Sequence, residues 1–414
     1  MPILTFLREN ARFLLAGGLI SLTSSYGQTY FIAIFAGAVM ADYGLNDGQW
    51  GLLYTVSTTL SAVAMLWAGA LTDRFRVRAL AWIVMPSLAA VCVAMSLNTT
   101  VLGLALTVFA LRFFGQGMMS QLAVTAMARW FVARRGLALS ISALGFAVGQ
   151  AFLPVGVAAL LGVFDWRLLW IVAAGLVVAA FPVVLWLLKL ERTPQSHARD
   201  PSTAGMDGRQ WTRGEMLRNP LFWLLLPMLL GPPAWGTALF FQQVHIAEVK
   251  GWSLVEYLAL LPLFTVTAVT FTLVSGQLID RFGSARLAQF YLLPFAAAFA
   301  VLAFADTLML AALGLMLFGI GSGIQSTLPA AFWAEFYGTR HIGAIKAVST
   351  SVMVFGTAIG PGVSGLLINL GWSFPEQMLP IALYFLVATG FVSLAVRWAR
   401  PHLLPSAKID VERA

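Results

Sequence analysis

Within 414 residues, a single basic side chain stands in the middle of an apolar run: Arg112, in Leu111-Arg112-Phe113-Phe114-Gly115-Gln116-Gly117. A charge at such depth costs about 3 kcal/mol against lipid, so it must face neighbouring helices or a wet cavity. Two chemistries suit a guanidinium there. Its fork of donors can grip a carboxylate, or it can act as a structural tie that hydrogen-bonds backbone carbonyls. Gln116 lies one turn further along the same helix, and Tyr26 and Tyr30, four residues apart, share a face of an earlier run. With Gln242 and Gln325 they make a set of neutral donors and acceptors for a small polar molecule. Gln242 and Gln243 point to different sides, so one of the two faces a central cavity. His245 is either a proton carrier or a histidine hydrogen-bonded in a turn.

Bond-making chemistry finds no constellation. The four histidines, His197, His245, His341 and His402, are scattered, without metal-ligand spacing or a paired nucleophile. No Gly-Lys-Ser/Thr phosphate loop is present, so an ATP motor is not expected, nor is a cofactor or a metal. The residues point to binding and passage. No mid-run Asp or Glu exists, and the 17 acids sit in turns, at run ends, in a central polar stretch or in the tail. That disfavours the acidic cavity wanted for cationic cargo and favours a small organic anion with an apolar part.

The elements that must position these residues are helices across a membrane. The chain is 60% apolar and 10% charged with a mean hydropathy of +0.85, far from the roughly one-quarter charge of soluble domains. About 20 apolar residues span the hydrocarbon, and twelve such runs are expected, the first over 13–40, then 50–71, 79–97 and 101–128. Arg8, Glu9, Asn10 and Arg12 precede a first run long enough to span, so no cleavable signal is expected. The single cysteine, Cys92, is expected to pack. The net charge of +8 is a matter of topology and not of nucleic acid. Apart from Arg112, Arg167 and Lys250, the lysines and arginines, 22 of 25, fall in segments that would be cytoplasmic with the N-terminus inside. Both termini are therefore expected in the cytoplasm.

Gly69-Ala70-Leu71-Thr72-Asp73-Arg74-Phe75-Arg76-Val77-Arg78 returns as Gly276-Gln277-Leu278-Ile279-Asp280-Arg281-Phe282-Gly283-Ser284-Ala285-Arg286, at a constant offset of half the chain. Two related halves in series follow from it. The doubled Gly-x-Leu-x-Asp-Arg loop resembles the signature of the major facilitator superfamily of secondary transporters. Arg76 stands in the first copy where the pattern has glycine. The resemblance implies an all-α polytopic membrane protein with 12 transmembrane helices in two pseudo-symmetric six-helix halves, rocking around a central site. It also implies a gate formed by Gly69, Asp73, Arg74, Gly276, Asp280 and Arg281. The expected organisation is a first half over 1–189, a cytoplasmic linker over 190–219, a second half over 220–399 and a tail over 400–414.

Arg129-Trp130-Phe131 with Arg134-Arg135-Gly136, and Arg218-Asn219-Pro220-Leu221-Phe222-Trp223, resemble the monocarboxylate transporters and oxalate/formate antiporters. Gly145-x-x-x-Gly149 followed by Pro154 resembles the superfamily's fifth-helix motif. That group carries a basic residue in the eighth helix, where this chain has only hydroxyls, Thr265, Thr267, Thr270, Thr272 and Ser275. The expectation is a transporter of a small, monocarboxylate-like organic anion, acting by alternating access as antiporter or symporter. Its contacts would be Tyr26, Tyr30, Arg112, Gln116, Gln242 and Gln325, with His245 as a polar or proton relay. The alternative is efflux of amphipathic drug-like compounds by proton antiport. Expected partners are the substrate, a coupling proton or counter-anion, and the lipid of a bacterial inner membrane, with the chain a monomer.

Overall fold

The computed structural model describes residues 3–68, 71–131, 135–190, 204–338 and 340–403. The described chain is helical, and ten of its helices are long and apolar enough to cross a membrane. Two further crossings precede them. Span 1 starts at Ile3, earlier than the apolar run, and reaches Tyr43 as a series of helical pieces, and span 2 is Asp47–Ala68. Span 3 is Val77–Leu97, span 4 Val101–Trp130, span 5 Arg135–Leu161 and span 6 Trp166–Leu187. In the second half, span 7 runs from Pro220 to Lys250 with breaks at Leu225 and Gln242, and span 8 covers Leu254–Phe282. Span 9 covers Ser284–Ala303, span 10 Leu308–Tyr337, span 11 Ile342–Asn369 and span 12 Phe374–Ala399. Spans 1, 4 and 5 pack together, as do 3 and 6, while 8 and 10 pair and 9 lies between 10 and 12.

Span 1 breaks where its polar block lies. Thr23 and Ser24 hydroxyls donate back to the Leu19 and Ser21 carbonyls at 2.7 and 2.6 Å, competing with the α-ladder. Ser24–Gly27 forms a tight turn and Gln28 is extended at φ −86°, ψ 152°. At the same level span 4 widens into a π-helical stretch, Arg112–Met119. The two irregularities meet. A Cβ on Gly27 would lie 2.1 Å from the Leu111 carbonyl, and one on Gly115 2.6 Å from the Gly27 Cα. Only glycine allows that crossing.

The helix ends and turns at one end of the bundle carry Arg8, Arg12, Arg76, Arg78, Arg281 and Arg286, and we call this the basic end. At the far end, Asp42 ties the turns together: it accepts from the Trp166 indole at 2.9 Å and pairs with Arg167 at 3.3 Å. Arg167 also donates to the Ser96 and Asn98 carbonyls. At the basic end the later part of the central polar stretch is held to the second half. Trp211 donates its amide to the Tyr337 carbonyl at 3.0 Å and packs edge-on against that ring. Thr212 and Glu215 form a reciprocal capping box at the start of helix Arg213–Arg218. The Thr212 amide and then its hydroxyl hold the Glu215 carboxyl below its usual range. Residues 191–203 of the expected linker and 404–414 of the expected tail lie outside the described residues.

Glycine sets how closely span 5 approaches span 1. A Cβ on Gly145 would sit 1.9 Å from the Gly18 carbonyl, whereas one on Gly156 meets nothing within 4 Å. Gly145→Ala is expected to destabilise the protein by about 1–3 kcal/mol through overpacking. Gly156→Ala should be neutral or stabilising, since alanine is the better helix former. Melting temperatures of the two variants in detergent check the contrast.

Candidate functional site

Arg112 is buried at the crossing of spans 1 and 4, with 1% of its surface exposed. The break in span 1 frees the Gly27 carbonyl from a helical ladder, and Arg112 Nη1 donates to it at 3.2 Å. The same nitrogen lies 3.2 Å from Thr29 Oγ1. Thr29 in turn shares a 2.7 Å hydrogen bond with the Tyr54 hydroxyl, and the guanidinium carbon lies 5.4 Å from the centre of the Tyr54 ring. Nε and Nη2 of Arg112 are buried without a hydrogen-bond partner. They form one edge of the guanidinium, directed away from the protein contacts made by Nη1.

Tyr54 carries this cluster to the second half. Its ring centre is 4.6 Å from that of Phe241, on which Trp50 also stacks at 5.7 Å. Phe241 ends the central piece of span 7, and the next residue but one, Gln243, donates from Nε2 to the Tyr30 carbonyl at 3.1 Å. Spans 2 and 11 continue the seam toward the far end. Thr55 Oγ1 donates to the Ala358 carbonyl at 2.7 Å, and a Cβ on Gly51 would lie 2.7 Å from the Pro361 carbonyl. The halves are thus shut against one another at the far end, directly beyond Arg112.

The expected site residues separate into groups. Arg112 and Gln116 share the π-helical stretch, and Gln116 is half-buried. Tyr30 donates to the Ser25 hydroxyl at 2.8 Å and packs edge-on against Phe146 of span 5. Tyr26 turns into the packing of the first half, edge-on to Phe31, which itself meets Trp170 of span 6. Gln242 bonds within the second half, to the Ser364 hydroxyl at 3.0 Å. Gln325 is half-buried on span 10, next to Ser326, which reaches Thr272 of span 8. His245 lies past the second break of span 7, with Nε2 buried and unpartnered. Of the gate residues, Gly276 stands in open space and Arg281 lies 5.3 Å from the Phe282 ring centre. Gly69 and the side chains of Asp73, Arg74 and Asp280 lie outside the described residues.

Residue type alone did not single out Thr29, Tyr54, Trp50 or Phe241. The usable signal was the spacing of Trp50 and Tyr54, one turn apart beside Gly51, which puts two polar-tipped aromatics on one close-packed face.

The chain matches the model of the Major Facilitator Superfamily over residues 17–361, and again over 263–409. No curated protein matches it by sequence. Among solved structures it is similar to the nucleoside transporter NupG, at 14% identity over 92% of this chain and 98% of that one, with a TM-score of 0.71. It is also similar to a bacterial homolog of the human lysosomal transporter Spinster, at 17% identity over 98% and 100% of the two chains, TM-score 0.68. The human organic anion transporter MFSD10 follows at 14% identity over 92% and 99%, TM-score 0.66. At such identities the likeness is one of fold.

Removing the far-end tie by Gln243→Ala costs one hydrogen bond, about 1 kcal/mol, and should shift the closed-to-open ratio roughly fivefold. Spin labels on the exposed far-end positions Val163 and Trp372 read this. A longer-distance population is expected to grow in Gln243→Ala and to stay at the wild-type level in Gln325→Ala.

Proposed function

The chain belongs to the major facilitator superfamily, and from that premise we propose that it carries a small, monocarboxylate-like organic anion by alternating access. It is a membrane transporter and not an enzyme. One observation carries the choice of an anion: the unpartnered Nε and Nη2 edge of Arg112. That edge presents two parallel N–H groups, the geometry that a carboxylate accepts in a bidentate pair. An unmet buried donor costs about 1–3 kcal/mol, and more when charged. A carboxylate that reaches the edge relieves this cost, and no Asp or Glu in mid-span competes for it.

The edge is closed from solvent in this state, so the anion gains it only when the neighbours move. Gln116 and Gln325 are the half-buried amides available to the rest of the substrate, while Tyr30 and Gln242, bonded to Ser25 and Ser364 within their own halves, reach it by exchanging those bonds once the far-end seam opens. Tyr26 packs the wall behind them. In this reading residues 1–189 and 220–399 are the two moving halves, joined by 190–219 and followed by a tail over 400–414. The gate at the basic end comprises Gly69, Asp73 and Arg74 with Gly276, Asp280 and Arg281. The basic end faces the cytoplasm of a bacterial inner membrane, the chain acts as a monomer, and a proton, carried by His245, or a counter-anion couples the movement. The similarity to a human organic anion transporter is in keeping with this cargo, while the similarity to a nucleoside transporter shows that the fold also takes other cargo.

Ligands that bind the folded state raise its melting temperature. Acetate, lactate and pyruvate are expected to stabilise the wild type, and the shift should vanish in a still-folded Arg112→Lys, which keeps the charge but loses the fork. Stabilisation by hydrophobic cations instead, equal in both proteins, would favour drug efflux and leave Arg112 as a tie between spans 1 and 4.

A further inference from the structure

A cavity lies on the flank of the first half at the basic end, between the start of span 3 and the end of span 6. Its volume is about 400 Å³ and it is lined by Arg76, Arg78, Ala79, Trp82, Leu188 and Lys189. Three cationic side chains from two helix ends converge there, and no acid is among the described lining residues. Beside it Arg12 adds a fourth cation: it donates to the Leu187 carbonyl at 2.9 Å and stands 4.8 Å from the Trp186 ring centre.

We propose that this groove binds the phosphate headgroup of an anionic phospholipid. The argument against a soluble anion is position. Trp82, one turn beyond Arg78, packs edge-on against Phe181 of span 6 and is 56% exposed. Ile83, Val183 and Trp186 are exposed next to it. On a membrane helix such a face lies against acyl chains, with tryptophan at the headgroup level. The cavity therefore sits where a lipid phosphate lies when its tails run down spans 3 and 6, and basic pockets between helix ends suit such headgroups.

The two copies of the repeated loop differ in a way that fits. In the second, Gly283 takes φ +79° and Glu335 accepts from the Ser284 amide and hydroxyl, so that helix start meets a carboxylate of the protein itself. In the first, the position of Gly283 is held by Arg76 at φ −68°, ψ 144°, an ordinary extended conformation that needs no glycine. The loop replaces a turn residue with a cation, and the position of Glu335 corresponds to Ala128. At these paired positions one half has an acid and a glycine, while the other has an alanine and a cation.

The test is native mass spectrometry of the full-length protein released from nanodiscs of equal phosphatidylglycerol and phosphatidylcholine. The wild type should retain phosphatidylglycerol preferentially. Lys189→Gln should lower that preference on the order of fivefold, as loss of one surface cation implies, and R76Q/R78Q/K189Q should abolish it. Arg397→Gln, the same charge change at the end of span 12, should leave it intact. An unchanged preference in Lys189→Gln, or an equal loss in Arg397→Gln, overturns the proposal. If the triple variant does not fold, those two single variants decide it. Inorganic phosphate is the second arm. Displacement of the bound lipid by phosphate alone would make this a soluble-anion site and would also overturn the lipid assignment.

Discussion

The hydrogen bond from Arg112 Nη1 to the Gly27 carbonyl is the contact on which the centre of this molecule depends. A helix in lipid must satisfy its own backbone, so span 1 can break at Ser24–Gln28 only because something answers the carbonyl that the break releases. Arg112 does so from a π-helical turn of span 4, and Gly27 and Gly115 let the two backbones come close enough. The arrangement serves both members. The guanidinium finds acceptors in a place where a lone charge is costly, and the broken helix finds a donor. Yet one edge of the guanidinium stays unmet, and on that surplus the proposed cargo rests.

From this contact the far-end closure follows through packing. Tyr54 touches Arg112 through its face, Thr29 through its hydroxyl and Phe241 in a tilted ring pair, so the charged cluster of the first half and the kinked helix of the second share one ring. Opening the far end must pull Phe241 from Tyr54 and Gln243 from the Tyr30 carbonyl. Both residues flank the break at Gln242, where span 7 already lacks a regular ladder. In the proposed alternating-access cycle this break acts as the hinge, so that movement at the seam and exposure of the Arg112 edge are parts of one change.

The fold was largely legible in residue order because it rests on apolar length and on the position of basic turns. Arg112 was legible for a similar reason, as a lone charge in an apolar run. Its partners were not. Whether the guanidinium meets backbone or substrate depends on a break in span 1, and the hydroxyls of residues 21–30 announce polarity without saying that the helix will yield to it. Tyr54 reads like any aromatic in a membrane helix until Phe241 is placed against it. Gln243 rather than Gln242 reaches across the halves, because the break at Gln242 rotates the following turn. Tyr26 and Tyr30 share a face only on a continuous helix, and with span 1 unwound one goes to Phe31 and the other to Ser25.

The most direct measurement is a cryo-EM map of the protein with a bound monocarboxylate such as pyruvate, read at Arg112. The account predicts carboxylate density in two-pronged contact with Nε and Nη2, while Nη1 keeps the Gly27 carbonyl. Density for the carboxylate elsewhere in the bundle, with the Nε and Nη2 edge still unmet or turned to another protein carbonyl, would contradict it and reduce Arg112 to the tie that holds span 1 against span 4.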